Sequence, residues 1–248
     1  MRLNVYLQKA GIGSRREAER MVAENRVAVN GQLATATVPV NEGDVVTLDG
    51  QPVAPETRGL ARLFVLHKPV DIICTTRDSE GRRTIFDMRA LQDKNLPRLM
   101  NVGRLDINSE GLLLLTDDGP LAQVLMHPDT ALSRVYRVRV HGHLSARDIA
   151  QLARGVEIDG IYYRGAEFDE EGDSFGKANS WYRVVLYEGK NREIRKLMEH
   201  FGCKVNRLIR VQYGRFTLGD LQAGEMREIP PSEVRALIDD LIAHGAKL

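Results

Sequence analysis

The sequence predicts an α+β protein in two parts that meet near residue 60. Three observations predict it. Short β-like runs and short helical runs are interleaved, without the regular strand–helix–strand spacing of a doubly wound parallel sheet. The stretch from Val53 to Arg62, with Pro55, Thr57 and Gly59, has little periodicity and reads as a linker. The 248 residues suffice for one large or two small packed domains.

The first part is helical, then stranded. Leu3 and Leu7 share one face of a short helix that Gly11 and Gly13 end. Ser14 followed by Glu17 is a capping box that starts a second helix, with Ala18, Met21 and Val22 as its apolar stripe. Arg16 and Arg20 are i, i+4 neighbours on another face, with Arg15 beside them. Beyond Glu24-Asn25, residues Arg26 to Val29 read as a strand and Asn30-Gly31 as a hairpin turn. A further strand, Val45 to Leu48, ends in the turn Asp49-Gly50. The first 30 residues hold six basic and three acidic side chains, so positive charge gathers on the helical part.

After the linker come the β-like runs Leu63–Leu66, Ile72–Thr75, Leu112–Thr116, Tyr136–Val140 and Trp181–Tyr187. Helices are expected over Pro120–Met126 and over Ser145–Arg154, the second with a Ser145–Asp148 cap. The acidic run Glu167–Asp173 reads as a solvated loop without function.

Composition removes several classes. A net charge of +1 argues neither for nor against a nucleic-acid partner. Two cysteines, Cys74 and Cys203, exclude a disulfide scaffold and a four-cysteine zinc site. The start, MRLNVYLQKAG, lacks the apolar segment of a signal peptide, and the longest apolar runs are too short to span a bilayer. A soluble cytoplasmic protein with reduced thiols is expected.

Three segments can carry chemistry. In Val102-Gly103-Arg104-Leu105-Asp106-Ile107-Asn108-Ser109-Glu110-Gly111, a carboxylate sits in a glycine-bounded loop directly before an apolar strand. Such a position is rigidly supported yet open to a substrate. Local chemistry alone favours a plainer reading, in which Asp106 closes an Asx-turn on its own backbone. In Ser133 to Val140, alternation sends Tyr136, Val138 and Val140 to one face and Arg137 and Arg139 to the other. Tyr136 can stack on a base, or be a core tyrosine with a satisfied hydroxyl. The third segment, Glu188 to Arg215, holds eight basic and three acidic residues. Its helix carries the stripe Ile194, Leu197, Met198 and Phe201 and stops at Gly202, with Arg195 at the stripe's border, where it can reach a buried carboxylate. The next strand alternates Val205, Arg207, Ile209 and Val211 against Asn206, Leu208, Arg210 and Gln212. Basic charge beside a packed sheet suits a phosphate backbone.

Neither a GxGxxG nor a GxxxxGK[ST] loop is present. Only His141 and His143 of the six histidines are close-spaced, and they lack further ligands. An enzyme reading therefore works with no cofactor and no metal.

The motif GRLDINSEGLLLLTDDG resembles the signature of RsuA/RluB-type pseudouridine synthases. LQKAGIGSRREAERMVAENRVAVNG resembles the ribosomal S-four-type RNA-binding domain. HKPVDIICTTRDSEGRRTIFD, SRVYRVRV, EGKNREIRKLMEHFGCKVNRLIRVQYG and LGDLQAGEMREI resemble, in order, the family's later motifs. The wording is most similar to the branch that acts on large-subunit rRNA.

The resemblance implies an S-four-type domain over 1–58 and a catalytic domain over 59–248, with a mainly antiparallel mixed sheet flanked by helices. It implies isomerisation of uridine to pseudouridine in ribosomal RNA, free or in a precursor particle, by a monomer without membrane contact. Asp106 matches the catalytic aspartate that initiates cleavage of the glycosidic bond. Tyr136 matches the tyrosine that stacks on the base and takes part in the final proton removal, and Arg195 the basic partner of the aspartate. Ile194 or Leu208 is the apolar wall of the base pocket, which Arg104 joins. Ser109-Glu110 departs from the family's usual small residues before the glycine, and Glu110 is expected to point outward. Lys9, Arg15, Arg16, Arg20, Lys190, Arg192, Arg207 and Arg210 are the expected RNA contacts. The target nucleotide must flip out of its stack, at a cost of a few kcal/mol that phosphate contacts offset. Two other readings stay open: a non-catalytic RNA-binding or assembly factor, against which the trio Asp106, Tyr136 and Arg195 argues, and a synthase acting on small-subunit rRNA or tRNA.

Overall fold

The structure, a computed structural model, describes residues 1–13, 15–35, 38–54, 59–76, 78–172 and 178–246. Ser14 as a helix cap, the side chains of Lys9 and Arg15, residues 55–58 of the expected linker and Asp173 lie outside the described residues. The chain forms two compact units, Met1–Gly59 and Leu60–Leu248.

In the first unit, α1 (Leu3–Lys9) and α2 (Arg15–Ala23) precede four short strands: β1 (Val27–Val29), β2 (Gln32–Leu33), β3 (Val46–Leu48) and β4 (Gln51–Val53). The sheet runs β2-β1-β3-β4, all antiparallel. Its two hairpin turns, Asn30-Gly31 and Asp49-Gly50, have positive φ at both central residues, which matches the right-handed strand twist. Leu3, Leu7, Ala18, Val22, Val27 and Val46 bury together.

The second unit is built on β5 (Leu63–Lys68), β6 (Met100–Val102), β7 (Glu110–Thr116), α3 (Gly119–Met126), β8 (Arg134–His141), α4 (Ala146–Arg154), β9 (Val156–Ile158), β10 (Ile161–Tyr163), β11 (Glu167–Glu171), β12 (Asn179–Leu186), α5 (Glu193–His200), β13 (Lys204–Tyr213), β14 (Phe216–Thr217), β15 (Met226–Glu228) and α6 (Pro231–Ala243). Nine strands form one sheet in the order β11-β12-β8-β13-β7-β5-β15, with β14 on β13 and β6 on β7. β9 and β10 pair separately. Within the large sheet the β13–β7 pair is parallel and the other strand pairs are antiparallel.

β7 explains the run of four leucines. Leu112 and Leu114 pack with α3 and α6, while Leu113 and Leu115 pack with Phe64, Leu66, Ile85 and Met88 on the other face. A strand covered on both sides reads as continuous rather than alternating hydrophobicity. Where β7 begins, Gly111 has φ +106° beside β13, and a Cβ there would lie 2.3 Å from the Arg210 carbonyl oxygen. Only glycine lets the two strands meet. On the other half of the sheet, Val138, Val140, Tyr182 and Val184 face Leu152 of α4 and Ile194, Leu197 and Met198 of α5. α4 carries its Ser145–Asp148 capping box. α5 ends in a Schellman motif: the Gly202 N–H donates to Glu199 O and the Cys203 N–H to Met198 O, with Gly202 at φ +75°.

Three expectations need correction. Ile72–Thr75 is not a strand: it makes the isolated bridge Ile73–Thr84. Asp71 at φ +62° turns the chain, and the Ile73 N–H and C=O are taken up by Arg83 and Ile85. Glu167–Glu171 is the edge strand β11, not a loop. Phe168 is buried, and the acids meet arginines across the sheet, Glu171 with Arg137 at 2.7 Å and Asp169 with Arg183 at 3.3 Å. In β13, irregularities in register at Val205/Arg207 and Arg210/Gln212 break the simple alternation. Among the described residues no helix is long and apolar enough to cross a membrane.

Candidate active site

The loop from Gly103 to Ser109 joins β6 to β7. Its Asp106–Ser109 turn closes with the Ser109 N–H donating to Asp106 O at 3.0 Å. Surrounding groups tie down its backbone. The Lys68 ammonium donates to the carbonyls of Pro69, Asp106 and Ser109 at 2.9, 3.2 and 2.8 Å. The Asp71 N–H donates to Ile107 O at 2.8 Å, and Arg195 Nη2 to Asn108 O at 2.9 Å. The Cys74 thiol lies 3.4 Å from both the N–H and the carbonyl of Leu105. Lys68 is fully buried, and burial lowers its pKa, opposed by the nearby Cys74, Asp106, Asp71 and Glu110.

The Asp106 side chain itself is left open. It is 21% exposed and accepts no hydrogen bond from a described residue, so it does not close an Asx-turn. Its nearest cation is Arg104, whose Nη2 stands 3.8 Å away on a largely exposed side chain. Asp106 borders two cavities, of about 380 and about 480 Å³, which share Arg104, Leu105, Asn191 and Arg192 with it. The smaller cavity is also lined by Tyr136, Ile194 and Leu208. Tyr136 is buried, yet its hydroxyl has no partner among the described residues. The core tyrosines differ: Tyr182 Oη accepts from the Leu144 N–H, and Tyr213 Oη donates to Leu125 O. Ile194 and Leu208 both line this cavity.

The expected Arg195–Asp106 ion pair does not form. Arg195 is buried, and its guanidinium runs under the loop to the carbonyls of Asn108 and Val205. Asp106 acts on it through space, opposing the fall in pKa that burial and Arg192 cause. Glu110 does not point outward freely either: only 12% of its side chain is exposed, and Arg207 Nε holds it at 2.5 Å. Arg207 is therefore paired though exposed. Arg210 is not a surface contact: it lies opposite Tyr136 on the same inward face as Leu208, where Nε donates to Leu112 O. Arg16 and Arg20 are exposed, Arg20 beside Glu24 at 3.6 Å. Lys190 pairs with Glu188 and lies 5.6 Å above the Tyr163 ring. Arg192 is exposed in a left-handed conformation at the head of α5.

Sequence reasoning misses Lys68, Arg134 and Glu193. Lys68 closes an apolar strand and carries no signal of its own. Glu193, in the cavity wall, accepts from the Lys190 N–H at 2.9 Å while its Oε1 is buried without a partner. Burial pushes its carboxyl up to about 7.

Comparison with known proteins fits this arrangement. Residues 62–200 match the model of the RNA pseudouridylate synthase family and residues 1–46 that of the S4 domain. An RNA pseudouridine synthase of Rickettsia felis is 42% identical over 231 residues, 92% of this chain and 96% of its own. The ribosomal large subunit pseudouridine synthase B of Haemophilus influenzae is 43% identical over 228 residues; the match takes in 88% of this chain and 61% of that longer one. A crystal structure of a pseudouridylate synthase shares the fold at a TM-score of 0.66 and 23% identity, covering 96% of this chain and 99% of its own. The chain belongs to the RNA pseudouridylate synthase family. Its activity is that of an isomerase on RNA: uridine becomes pseudouridine, with the base joined to ribose through carbon instead of nitrogen.

Proposed function

We propose that the chain converts a specific uridine of large-subunit ribosomal RNA to pseudouridine, in the cytoplasm and as a monomer, with Asp106 as the group that initiates the reaction. The observation that carries this reading is the state of Asp106. The backbone of its loop is tied from Lys68, Asp71 and Arg195, while its carboxylate faces two cavities with no hydrogen bond to any described residue. A structural aspartate would spend those oxygens on the protein. Pre-fixed backbone and free carboxylate are what attack on a bound nucleotide needs.

In this reading the flipped uridine enters the smaller cavity and its base lies against Tyr136 between Ile194 and Leu208. Asp106 initiates cleavage of the N1–C1′ bond. The uracil turns, C5 bonds to C1′, and the C5 proton leaves, with the free Tyr136 hydroxyl placed to take part. N1 gains a proton, so the product is an isomer. Arg195 is a positioning residue, acting through the Asn108 carbonyl. The large-subunit assignment rests on likeness to the synthase B proteins, whose length the chain spans only by half to six-tenths. The first unit, through Arg16 and Arg20 and with Lys9 and Arg15 as further candidates, supplies phosphate contacts that position rather than specify; Lys190 and Arg192 do so at the cavity, and exposed Arg207 does so on β13.

Asp106→Asn tests the reading. The change is nearly isosteric and breaks no hydrogen bond between this side chain and a described residue. RNA affinity should stay near wild type while tritium release from 5-labelled uridine in a large-subunit rRNA fragment disappears. Wild-type-like turnover would sink the assignment.

A further inference from the structure

Beside Asp106 and Tyr136, the smaller cavity is lined by two more arginines, Arg134 and Arg210. Both are more than nine-tenths buried. Their guanidiniums lie 4.8 and 5.2 Å from the centre of the Tyr213 ring, so one aromatic ring holds both. Arg134 donates from Nη1 to Leu132 O at 3.0 Å and from Nη2 to Tyr213 Oη at 2.9 Å. Arg210 donates from Nε to Leu112 O at 2.7 Å, and its Nη2 is buried without an acceptor. Neither arginine pairs with a carboxylate among the described residues, and the Asp106 and Glu193 carboxyls of the same cavity lie beyond ion-pair distance of both.

Two buried cations held only by neutral oxygens are an unbalanced arrangement. A buried charge is ordinarily paired, because neutral acceptors repay only part of its lost hydration. The cavity both residues line gives the missing negative charge a route in. We infer that Arg134 and Arg210 form a phosphate subsite that takes a backbone phosphate adjoining the flipped uridine. The inference rests on the RNA reading above and deepens it. The fork of Arg210, with two nitrogens unspent, suits two oxygens of a phosphodiester, and Arg134 Nε adds a third donor. A uracil carbonyl would satisfy donors but leave both charges unbalanced. Because Tyr213 fixes the guanidiniums beforehand, little side-chain freedom is lost on binding.

Binding measurements test it whichever uridine is the target. Affinity for a 23S rRNA transcript is measured against salt for wild type, Arg210→Met and Arg210→Lys. Arg210→Met should flatten the slope of log affinity on log salt by about 0.7–0.9, the value of one phosphate contact, and Arg210→Lys should keep it. In parallel, uridine, uridine 3′-monophosphate and uridine 5′-monophosphate compete with the transcript for the wild-type protein. One monophosphate should compete at a concentration roughly tenfold or more below uridine, and Arg210→Met should erase that preference. A wild-type slope in folded Arg210→Met, or equal competition by uridine and both monophosphates, overturns the subsite. Should the Met variant not fold, the wild-type competition alone decides. Pseudouridine yield on the same transcript is read separately: its absence counts against the proposed reaction, whereas these binding results decide the subsite.

Discussion

Replacing Lys68 with Met isolates what the buried ammonium does for the site. The side chain has no exposed surface and donates three hydrogen bonds, two of them to the first and last carbonyls of the Asp106–Ser109 turn. Met fills a similar volume and donates nothing. The Pro69 and Ser109 carbonyls lose this donor, at about 1–3 kcal/mol each if they stay dry, while the Asp106 carbonyl keeps the Ser109 N–H. Against this, the protein no longer buries an ammonium, a relief of several kcal/mol; the lowered pKa of Lys68 is the sign of that strain. The two terms largely offset, so global stability should stay within about 2 kcal/mol, a Tm change of at most about 4–8 °C. The loss falls on the turn. Asp71 and Arg195 still hold Ile107 and Asn108, so Asp106 stays near its place but keeps only the Ser109 N–H within its own turn. A displacement of about 1 Å in a reacting group costs on the order of a hundredfold in rate. Single-turnover tritium release at saturating RNA, beside a thermal melt, should show kcat down roughly 10- to 100-fold in a folded protein. A folded Lys68→Met enzyme within about twofold of wild type would refute the idea that the ammonium positions Asp106.

Three further outcomes are expected. Arg195→Ala should cut single-turnover rate with RNA affinity kept, and Arg195→Lys should recover part of it, whereas exposed Arg192→Ala should mainly raise KM; an Arg195→Ala variant altered only in affinity would make Arg195 a phosphate contact. Removal of residues 1–58 should leave a folded remainder with weaker rRNA binding and a smaller salt dependence, and unchanged affinity across salt would exclude a binding role for the first unit. Glu193 has a folded pKa raised from 4.5 to about 7, so the fold prefers its protonated form. Its contribution to stability is whole below pH 4.5 and is lost as pH rises toward 7; Glu193→Gln should flatten that decline in urea titrations at both ends of the window, and a variant declining as steeply as wild type would show that another group is responsible.

What the sequence makes legible follows from what each residue needs nearby. Tyr136, Ile194 and Leu208 reach one cavity because local periodicity fixes the faces of β8, α5 and the 207–210 stretch of β13, while Asp106 is brought there by the loop before β7. Periodicity also puts Arg195 at the correct border of its helix, but it does not identify the partner. An arginine buried under a loop finds backbone carbonyls as well as carboxylates, and no sequence pattern ranks the two. The acidic run 167–173 reads as solvated when its charges are counted and Phe168 is not; the arginines of two other strands supply the compensation. Lys68, Arg134 and Glu193 give no signal because their burial depends on segments far away in the chain. Arg210 is visible as a basic residue on the face of Leu208, but its burial there, opposite Tyr136 of a distant strand, is not.

The meeting of β7 and β13 also sets the order in which the molecule becomes competent. Arg210 reaches Leu112 across 98 residues of chain, and Arg195 reaches Asn108 across 87. Closing loops of that length is a late event, since their entropy must be overcome before any contact rewards it. The first unit, with helices and hairpins between sequence neighbours, can form as soon as its own residues are made. On the proposed function, the unit that positions RNA therefore forms during synthesis before the site that alters it. Activity then reports completed folding of the second unit, and a nascent or nicked chain lacking β13 would occupy RNA without changing it.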